Sequence, residues 1–128
     1  MIAPIHVEPT QDSAMQTWHI ATIVLCVIGI AAGQVLFKFV ALGMQNTDTV
    51  LDSKVLVPFV AALALYAVVT LVWIWVLQFV PLSLAYPFMA LSFVLVPVAS
   101  WLLLAEQLGV RYIVGVLLIG AGVLLAMR

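Results

Sequence analysis

The 128 residues of this chain are 67% hydrophobic and 7% charged, whereas a soluble domain is about 45–50% apolar and about 25% charged. This balance excludes an ordinary soluble fold, because a chain of this length cannot bury so much apolar surface. The formal net charge of -1 gives no support for a basic nucleic-acid-binding patch. The composition therefore indicates an integral membrane protein.

Residues that support metal or covalent chemistry are scarce. Cys26 is the only cysteine, and His6 and His19 are the only histidines, so neither an intrachain disulfide nor a zinc cluster can be assembled from them. The sequence also lacks the Ser/His/Asp and phosphate-loop patterns of common enzymes. We therefore expect no metal, no cofactor and no enzymatic activity.

The apolar runs divide the chain into a short tail and a membrane domain. Residues 1–17 contain two prolines and small polar residues without helical periodicity, which predicts a mobile polar tail. Residues 18–128 are predicted to form the membrane domain, an all-α bundle of four transmembrane helices. The predicted helices cover about 18–43, 55–80, 82–105 and 110–127.

The first predicted helix carries an amide and an ammonium one turn apart. Lys38 is the only charged side chain between Asp12 and Asp48, and Gln34 precedes it by four residues. A charge inside a membrane-length segment is costly, so it is generally paired, close to an interface or functional. For Lys38, snorkelling to the headgroups and contact with a phosphate are both open. For Gln34, the alternatives are an interhelical hydrogen bond and ligand contact.

The second predicted helix carries a polar and aromatic face. Tyr66, Thr70 and Trp73 stand at positions i, i+4 and i+7, which share one side of a helix. This face could line a cavity. Alternatively, the tryptophan anchors the helix at the membrane interface and the other two bond to neighbouring helices.

The third predicted helix contains Pro87 and Pro97, which we interpret as conformational hinges. Each proline removes the hydrogen bond to the carbonyl four residues earlier, at Ser83 and Phe93, so we expect a bent or loosened helix. The freed carbonyls need donors inside a bilayer. Candidate donors are the hydroxyls of Ser83, Tyr86 and Ser92. A jointed helix suits alternating access, and a static bundle allows it equally.

The last predicted helix and the turn before it carry structural signals. Gly115 and Gly122 are seven residues apart and so share a face, which indicates helix pairing within the bundle or between subunits. Glu106 lies in the preceding turn, where we expect a structural role, either capping the last helix or pairing with Arg111.

The positive side chains suggest an orientation. Lys38, Lys54 and Arg111 lie toward the first and third loops, and Arg128 lies toward the other side. The positive-inside rule then favours cytoplasmic first and third loops, with both termini outside. Because there are so few charges, a pair of subunits inserted in opposite orientations is an alternative.

Three stretches resemble the drug/metabolite transporter superfamily, and within it the small flippase subunits for aminoarabinose-phosphoundecaprenol. The first helix has the Gly-Gln…Lys motif of those subunits, the third helix has their Val-Pro…Ala-Tyr-Pro motif, and Glu106 matches the acidic residue in their last turn. The matching motif residues are Gly33, Gln34, Lys38, Val80, Pro81, Ala85, Tyr86 and Pro87. The resemblance extends over about residues 21–125.

The last two helices also resemble the small multidrug-resistance exporters. Tyr86 matches a tyrosine of their substrate cavity, and five residues match the dimerisation pattern of their fourth helix: Gly115, Leu118, Ile119, Gly122 and Val123. In those exporters a membrane glutamate binds both the proton and the cationic drug, and here Ile30 takes its position. A cavity tryptophan is replaced by Met89. Proton-for-cation exchange therefore lacks its coupling carboxylate.

Together, these resemblances imply a flippase for a polyprenyl-phosphate-linked sugar in the bacterial inner membrane. Lys38 would contact the phosphate, Gln34 would bond to the phosphate or sugar, and three aromatic residues would face the headgroup: Tyr66, Trp73 and Tyr86. The expected partners are membrane lipid, the anionic glycolipid, and a second similar subunit in a homodimer or heterodimer. The alternatives are a cation exporter and a non-transporting subunit of a membrane complex.

Overall fold

The computed structural model describes residues 16–127, and helices are the only regular secondary structure over that range. The four helices are α1 (Thr17–Gln45), α2 (Ser53–Val76), α3 (Leu82–Leu104) and α4 (Val110–Ala126). The first three are long and apolar enough to cross a membrane, and α4 is a shorter apolar helix of 17 residues. The prediction of a four-helix membrane bundle is confirmed. Most of the predicted tail, residues 1–15, lies outside the described residues.

Helices α1 and α2 form an antiparallel pair that is in contact along most of its length. Three glycines of α1 make this close approach possible. A Cβ atom at Gly29 would lie 2.6 Å from Cγ2 of Val69, one at Gly33 would overlap the ring of Tyr66, and one at Gly43 would lie 2.9 Å from the Lys54 carbonyl oxygen. These small residues of α1 are therefore used inside the chain, against α2.

The two ends of α2 differ from the predicted ones. The helix begins at Ser53, two residues earlier than predicted, because the Asp52 carboxylate accepts a 2.8 Å hydrogen bond from the Lys54 amide. It ends at Val76, four residues before the predicted end at Val80. Pro81 disfavours helical geometry at the residue before it, so the chain turns over residues 77–80 instead.

The best-buried cluster lies where the start of α1 meets the turn between α2 and α3. Its members are Ile23, Val76, Val80 and Ala85, with Trp73, Leu77 and Phe88 packed against them. α3 runs parallel to α1 from this cluster and meets it again further along. The core therefore holds the first three helices together at one end of the bundle.

Helix α3 is divided into three parts. An α-helical turn, Leu82–Ala85, leads into a 3-10 segment, Tyr86–Leu91, and an α-helix follows over Ser92–Leu104. Pro87 lies at the start of the 3-10 segment, as expected for a locally loosened helix. Whether this segment moves as a hinge stays a prediction.

Pro97 leaves the Phe93 carbonyl without its helical donor, and α4 supplies a replacement. The Tyr112 hydroxyl donates a 2.6 Å hydrogen bond to the Phe93 oxygen. None of the three predicted donors does so; Ser92 instead donates to the Met89 carbonyl at 2.6 Å. The prediction named the carbonyl correctly and was wrong about its donor.

Helix α4 is the least buried of the four. It has no fully buried residue, and it contacts the rest of the chain mainly through the 3-10 segment of α3. A Cβ atom built at Gly115, Gly120 or Gly122 would meet nothing within 4 Å. Unlike the glycines of α1, these glycines are not needed for packing within the described chain.

Candidate functional site

Gln34 and Tyr66 form a polar pair between α1 and α2. The Gln34 side-chain amide donates a 2.6 Å hydrogen bond to the Tyr66 hydroxyl. Gly33 makes room for the Tyr66 ring, which also stacks at 5.4 Å between centroids on Phe37. Of the two alternatives for Gln34, the interhelical hydrogen bond is the one formed here. Ligand contact by either side chain stays a prediction.

Lys38 lies one turn beyond Gln34 and pairs with Glu106. The Lys38 Nζ is 3.0 Å from the Glu106 Oε1, and the two side chains are 46% and 45% exposed. The Ser100 hydroxyl donates a hydrogen bond to the other oxygen of the same carboxylate. Lys38, Glu106 and Ser100 therefore connect the last third of α1 to α3 and to the turn that follows α3.

The backbone around Glu106 turns sharply. Ala105 ends α3 in the left-handed region, with φ 53° and ψ 27°, a conformation that is unfavourable for a residue with a Cβ atom. Among the described residues, it is the only non-glycine residue with positive φ. This turn brings the Glu106 side chain back toward Ser100 and Lys38.

The surroundings of Glu106 favour its charged form. The hydrogen bond from Ser100 contributes most, the hydrogen bond and charge of Lys38 add to it, and together they lower the pKa of the Glu106 carboxyl below its usual value. The residue is therefore an anion at neutral pH. Both alternatives offered for it were wrong in detail: α4 has no side-chain cap, and the ion pair is with Lys38 instead of Arg111.

An apolar groove of about 470 Å³ runs between α1 and α3 and opens to the outside. It is lined by Ile28, Ala31, Ala32, Val35, Leu36, Phe39, Leu95, Ala99 and Leu103. At one end of the groove, Phe39 directly follows Lys38 in the sequence, and Leu103 lies shortly before Glu106. The lining of the groove is apolar, and the Lys38–Glu106 ion pair is formed by residues that adjoin this end of the lining in the sequence.

Two of the predicted site residues lie elsewhere. Trp73 packs half-buried against the cluster that contains Ile23, and Ile23 is about 22 Å along α1 from Lys38. Tyr86 starts the 3-10 segment close to the same cluster, and its side chain is 64% exposed. The structure thus brings Gln34 together with Tyr66, and Lys38 together with Glu106. It does not gather all five predicted residues around one headgroup.

Sequence reasoning missed two residues of this region, Ser100 and Tyr112. Pro97 signals that the Phe93 carbonyl needs a donor, and a tyrosine near the start of the next helix was an available candidate. Ser100 carries no comparable signal, because its role depends on the turn at Ala105. No group of three or more potential metal ligands occurs within residues 16–127.

Comparison with known proteins gives a consistent result. The chain is 31% identical over 93 residues to the probable 4-amino-4-deoxy-L-arabinose-phosphoundecaprenol flippase subunit ArnE of Proteus mirabilis. These aligned residues cover 73% of this chain and 82% of that protein. It is 52% identical over 54 residues to the protein of the same name from Sodalis glossinidius, covering 42% of this chain and 49% of the relative.

A third relative of that name, from an Enterobacter species, is 41% identical over 64 residues, which cover 50% of this chain and 60% of the relative. The matched part thus spans about half of the Sodalis protein and most of the Proteus protein. No protein-family model matches the chain, and no solved structure matches it significantly.

Proposed function

Because this chain belongs to the family of probable 4-amino-4-deoxy-L-arabinose-phosphoundecaprenol flippase subunits, we propose that it helps to move a polyprenyl-phosphate-linked sugar across the bacterial inner membrane. Its helices are those of a multi-pass membrane protein. Its role is transport of a lipid-linked sugar, without chemical conversion of that lipid.

The observation that carries this proposal is that Lys38, which pairs across to the turn after α3, directly precedes Phe39 in the lining of the apolar groove between α1 and α3. A polyprenyl-phosphate glycolipid has an apolar tail and an anionic headgroup. The groove offers the tail an apolar wall, and Lys38 offers the phosphate an ammonium with three hydrogen-bond donors. Gln34 lies one helical turn before Lys38 on α1, where its side chain is hydrogen-bonded to Tyr66 of α2.

Export of cationic drugs is the weaker candidate. Such exporters need a membrane carboxylate, and the matching position holds Ile30. Within the described residues, the one carboxylate near the groove, Glu106, is already neutralised by Lys38. A cationic substrate would therefore meet a site whose net charge is close to zero.

The exposed face of α4 supports a paired protein. Leu118 is 69% exposed, and Gly122 on the same face meets no neighbour in the chain. Together with Gly115 and Ile119, these residues form the α4 face, which we propose as the contact with a second subunit, either another copy or a similar small protein. Val123, the fifth residue of the predicted pattern, lines a groove against the 3-10 segment of α3. Four helices alone give little room for a central path, so a second subunit would complete the passage.

The test is a binding and flipping assay in proteoliposomes, with an undecaprenyl-phosphate sugar and a quaternary ammonium compound as alternative substrates. Lys38→Ala should weaken binding of the lipid about tenfold, because a charge-assisted hydrogen bond to phosphate is lost. Lys54→Ala is the matched control, since Lys54 is exposed at the same end of the bundle and away from the groove. Undiminished lipid binding by Lys38→Ala, together with proton-coupled uptake of the cation, would reverse the proposal.

A further inference from the structure

In the structure, the ammonium of Lys38 already has an anionic partner. The Glu106 carboxylate lies 3.0 Å from the Nζ atom, in the position where an oxygen of a bound phosphate would be expected. Carboxylate and phosphate oxygens accept the same hydrogen bonds from an ammonium. If both anions shared Lys38, two like charges would stand side by side, which disfavours the doubly charged arrangement.

Glu106 is also held in this position from the other side. The Ser100 hydroxyl donates to its second oxygen, and the left-handed Ala105 turns the chain so that the side chain points back toward α1. The left-handed conformation is unfavourable for alanine and is maintained by the surrounding contacts. Release of Glu106 from Lys38 would allow this turn to relax.

From these observations we propose that Glu106 is an internal competitor for the phosphate position on Lys38. The lipid phosphate displaces the carboxylate from Lys38. The hydrogen bond from Ser100 and the backbone turn at Ala105 determine how stable the competing Lys38–Glu106 pair is. Glu106 is thus a specificity-determining residue: it shields Lys38 from zwitterionic headgroups and yields only to an anion whose tail also occupies the groove. The inference rests on the proposed function, since both concern the same site.

The experiment measures binding of undecaprenyl phosphate to the full-length protein in nanodiscs of zwitterionic lipid. Glu106→Gln should bind this probe more tightly, by up to about fivefold, because the competing charge is removed and exposed ion pairs are of that strength. Asp48→Asn is the matched control. It removes the same charge from an exposed position in the loop after α1, at the same end of the bundle, and should leave affinity unchanged.

A double substitution separates competition from a general change of structure. In the Lys38→Gln background, where there is no ammonium to compete for, Glu106→Gln should bring no gain in affinity. Ser100→Ala gives a second route, because it loosens the carboxylate without removing it and should also tighten binding. If Glu106→Gln does not fold, Ser100→Ala decides the question.

Inorganic phosphate at the same concentration should not displace the lipid, because it has no tail for the groove. If it competes as well as the lipid does, the inference is overturned. It is also overturned if Glu106→Gln or Ser100→Ala binds no more tightly than the wild type while Lys38→Ala loses binding, and in that case the proposed function survives. If Lys38→Ala binds as well as the wild type, the proposed phosphate contact itself fails.

Discussion

Gly33 and Gly115 are both helical glycines, but only Gly33 has no space for a side chain. A Cβ atom at Gly33 would overlap the Tyr66 ring, whereas one at Gly115 would meet nothing within 4 Å. We expect Gly33→Ala to lower the free energy of unfolding by about 1–3 kcal/mol, the usual effect of overpacking. The displaced Tyr66 hydroxyl would also lose its hydrogen bond from Gln34.

Gly115→Ala is the matched control and should raise the free energy of unfolding of the isolated subunit slightly, by up to about 1 kcal/mol, because alanine favours the helix and its Cβ atom meets nothing. Reversible unfolding in detergent micelles measures both variants. Equal losses at the two positions would mean that the close approach of α1 and α2 does not limit stability.

The hydrogen bond from Tyr112 to the Phe93 carbonyl is a second contact of single residues. Tyr112→Phe should lower the free energy of unfolding by about 0.6 kcal/mol, which is the average contribution of a hydrogen bond between membrane helices. Tyr86→Phe is the control, because the Tyr86 hydroxyl makes no hydrogen bond to another residue in the described range and is largely exposed.

A double-mutant cycle identifies the cause of that cost. Pro97→Ala restores an amide that can donate to the Phe93 carbonyl, so Tyr112→Phe should cost less in the Pro97→Ala background than in the wild type. Unfolding measurements on the four proteins complete the cycle. Equal costs in both backgrounds would contradict the idea that Tyr112 replaces the donor that Pro97 removes.

At the scale of helices, the sequence allows the four-helix plan to be predicted, because each span requires a long apolar run and the polar residues are gathered between the runs. It also indicates that α3 is loosened near Pro87, since proline breaks the helical ladder. These features are local, and a single chain segment carries each of them.

The features that could not be predicted depend on how the helices are set against one another. Lys38 and Glu106 lie far apart in the sequence, and their pairing requires both the register of α1 against α3 and the left-handed turn at Ala105. For the same reason, the sequence pattern grouped Trp73 and Tyr86 with Lys38, although the structure places them toward the other end of the bundle.

The ion pair between α1 and the turn after α3 should make the stability of the protein sensitive to acid. Its surroundings lower the pKa of Glu106 in the folded protein below the reference value of 4.5. The stabilisation is therefore fully present above about pH 4.5 and is lost as the pH falls through the lower folded pKa. Wild-type stability should be unaffected by this group between pH 7 and about pH 5 and should fall below that range.

Glu106→Gln provides the comparison, because it removes this titration and leaves the other carboxyl groups in place. The difference in unfolding free energy between the wild type and the variant should narrow on acidification. Thermal unfolding of both proteins over this pH range measures it. A difference that is the same at neutral pH and at the most acidic pH measured would show that the charge of Glu106 contributes nothing to stability.

For the molecule as a whole, the unequal burial of the helices is the main clue to assembly. Helices α1, α2 and α3 share the buried cluster, whereas α4 has no fully buried residue, and its glycines are not used for packing within the chain. In a bilayer, a leucine side chain is as stable against lipid tails as against protein, so its exposure alone does not indicate a protein partner. Small residues that leave room for a close backbone approach, as on the α4 face, are what a helix pair requires.

This argument predicts a specific pattern of crosslinking in membranes. In a Cys26→Ala background, a cysteine introduced at Leu118 on the α4 face should form a disulfide with a second subunit. A cysteine at Val116 should not, because Val116 lines a groove between α4 and α3 inside the chain.

With this chain expressed alone, the Leu118→Cys product identifies a homodimer. If a disulfide forms only when a similar small subunit carries the matching cysteine, the complex is a heterodimer. A Leu118→Cys protein that stays monomeric in bilayers and still transports at the wild-type rate would contradict assembly through α4, and the path for the lipid would then have to be found within a single four-helix chain.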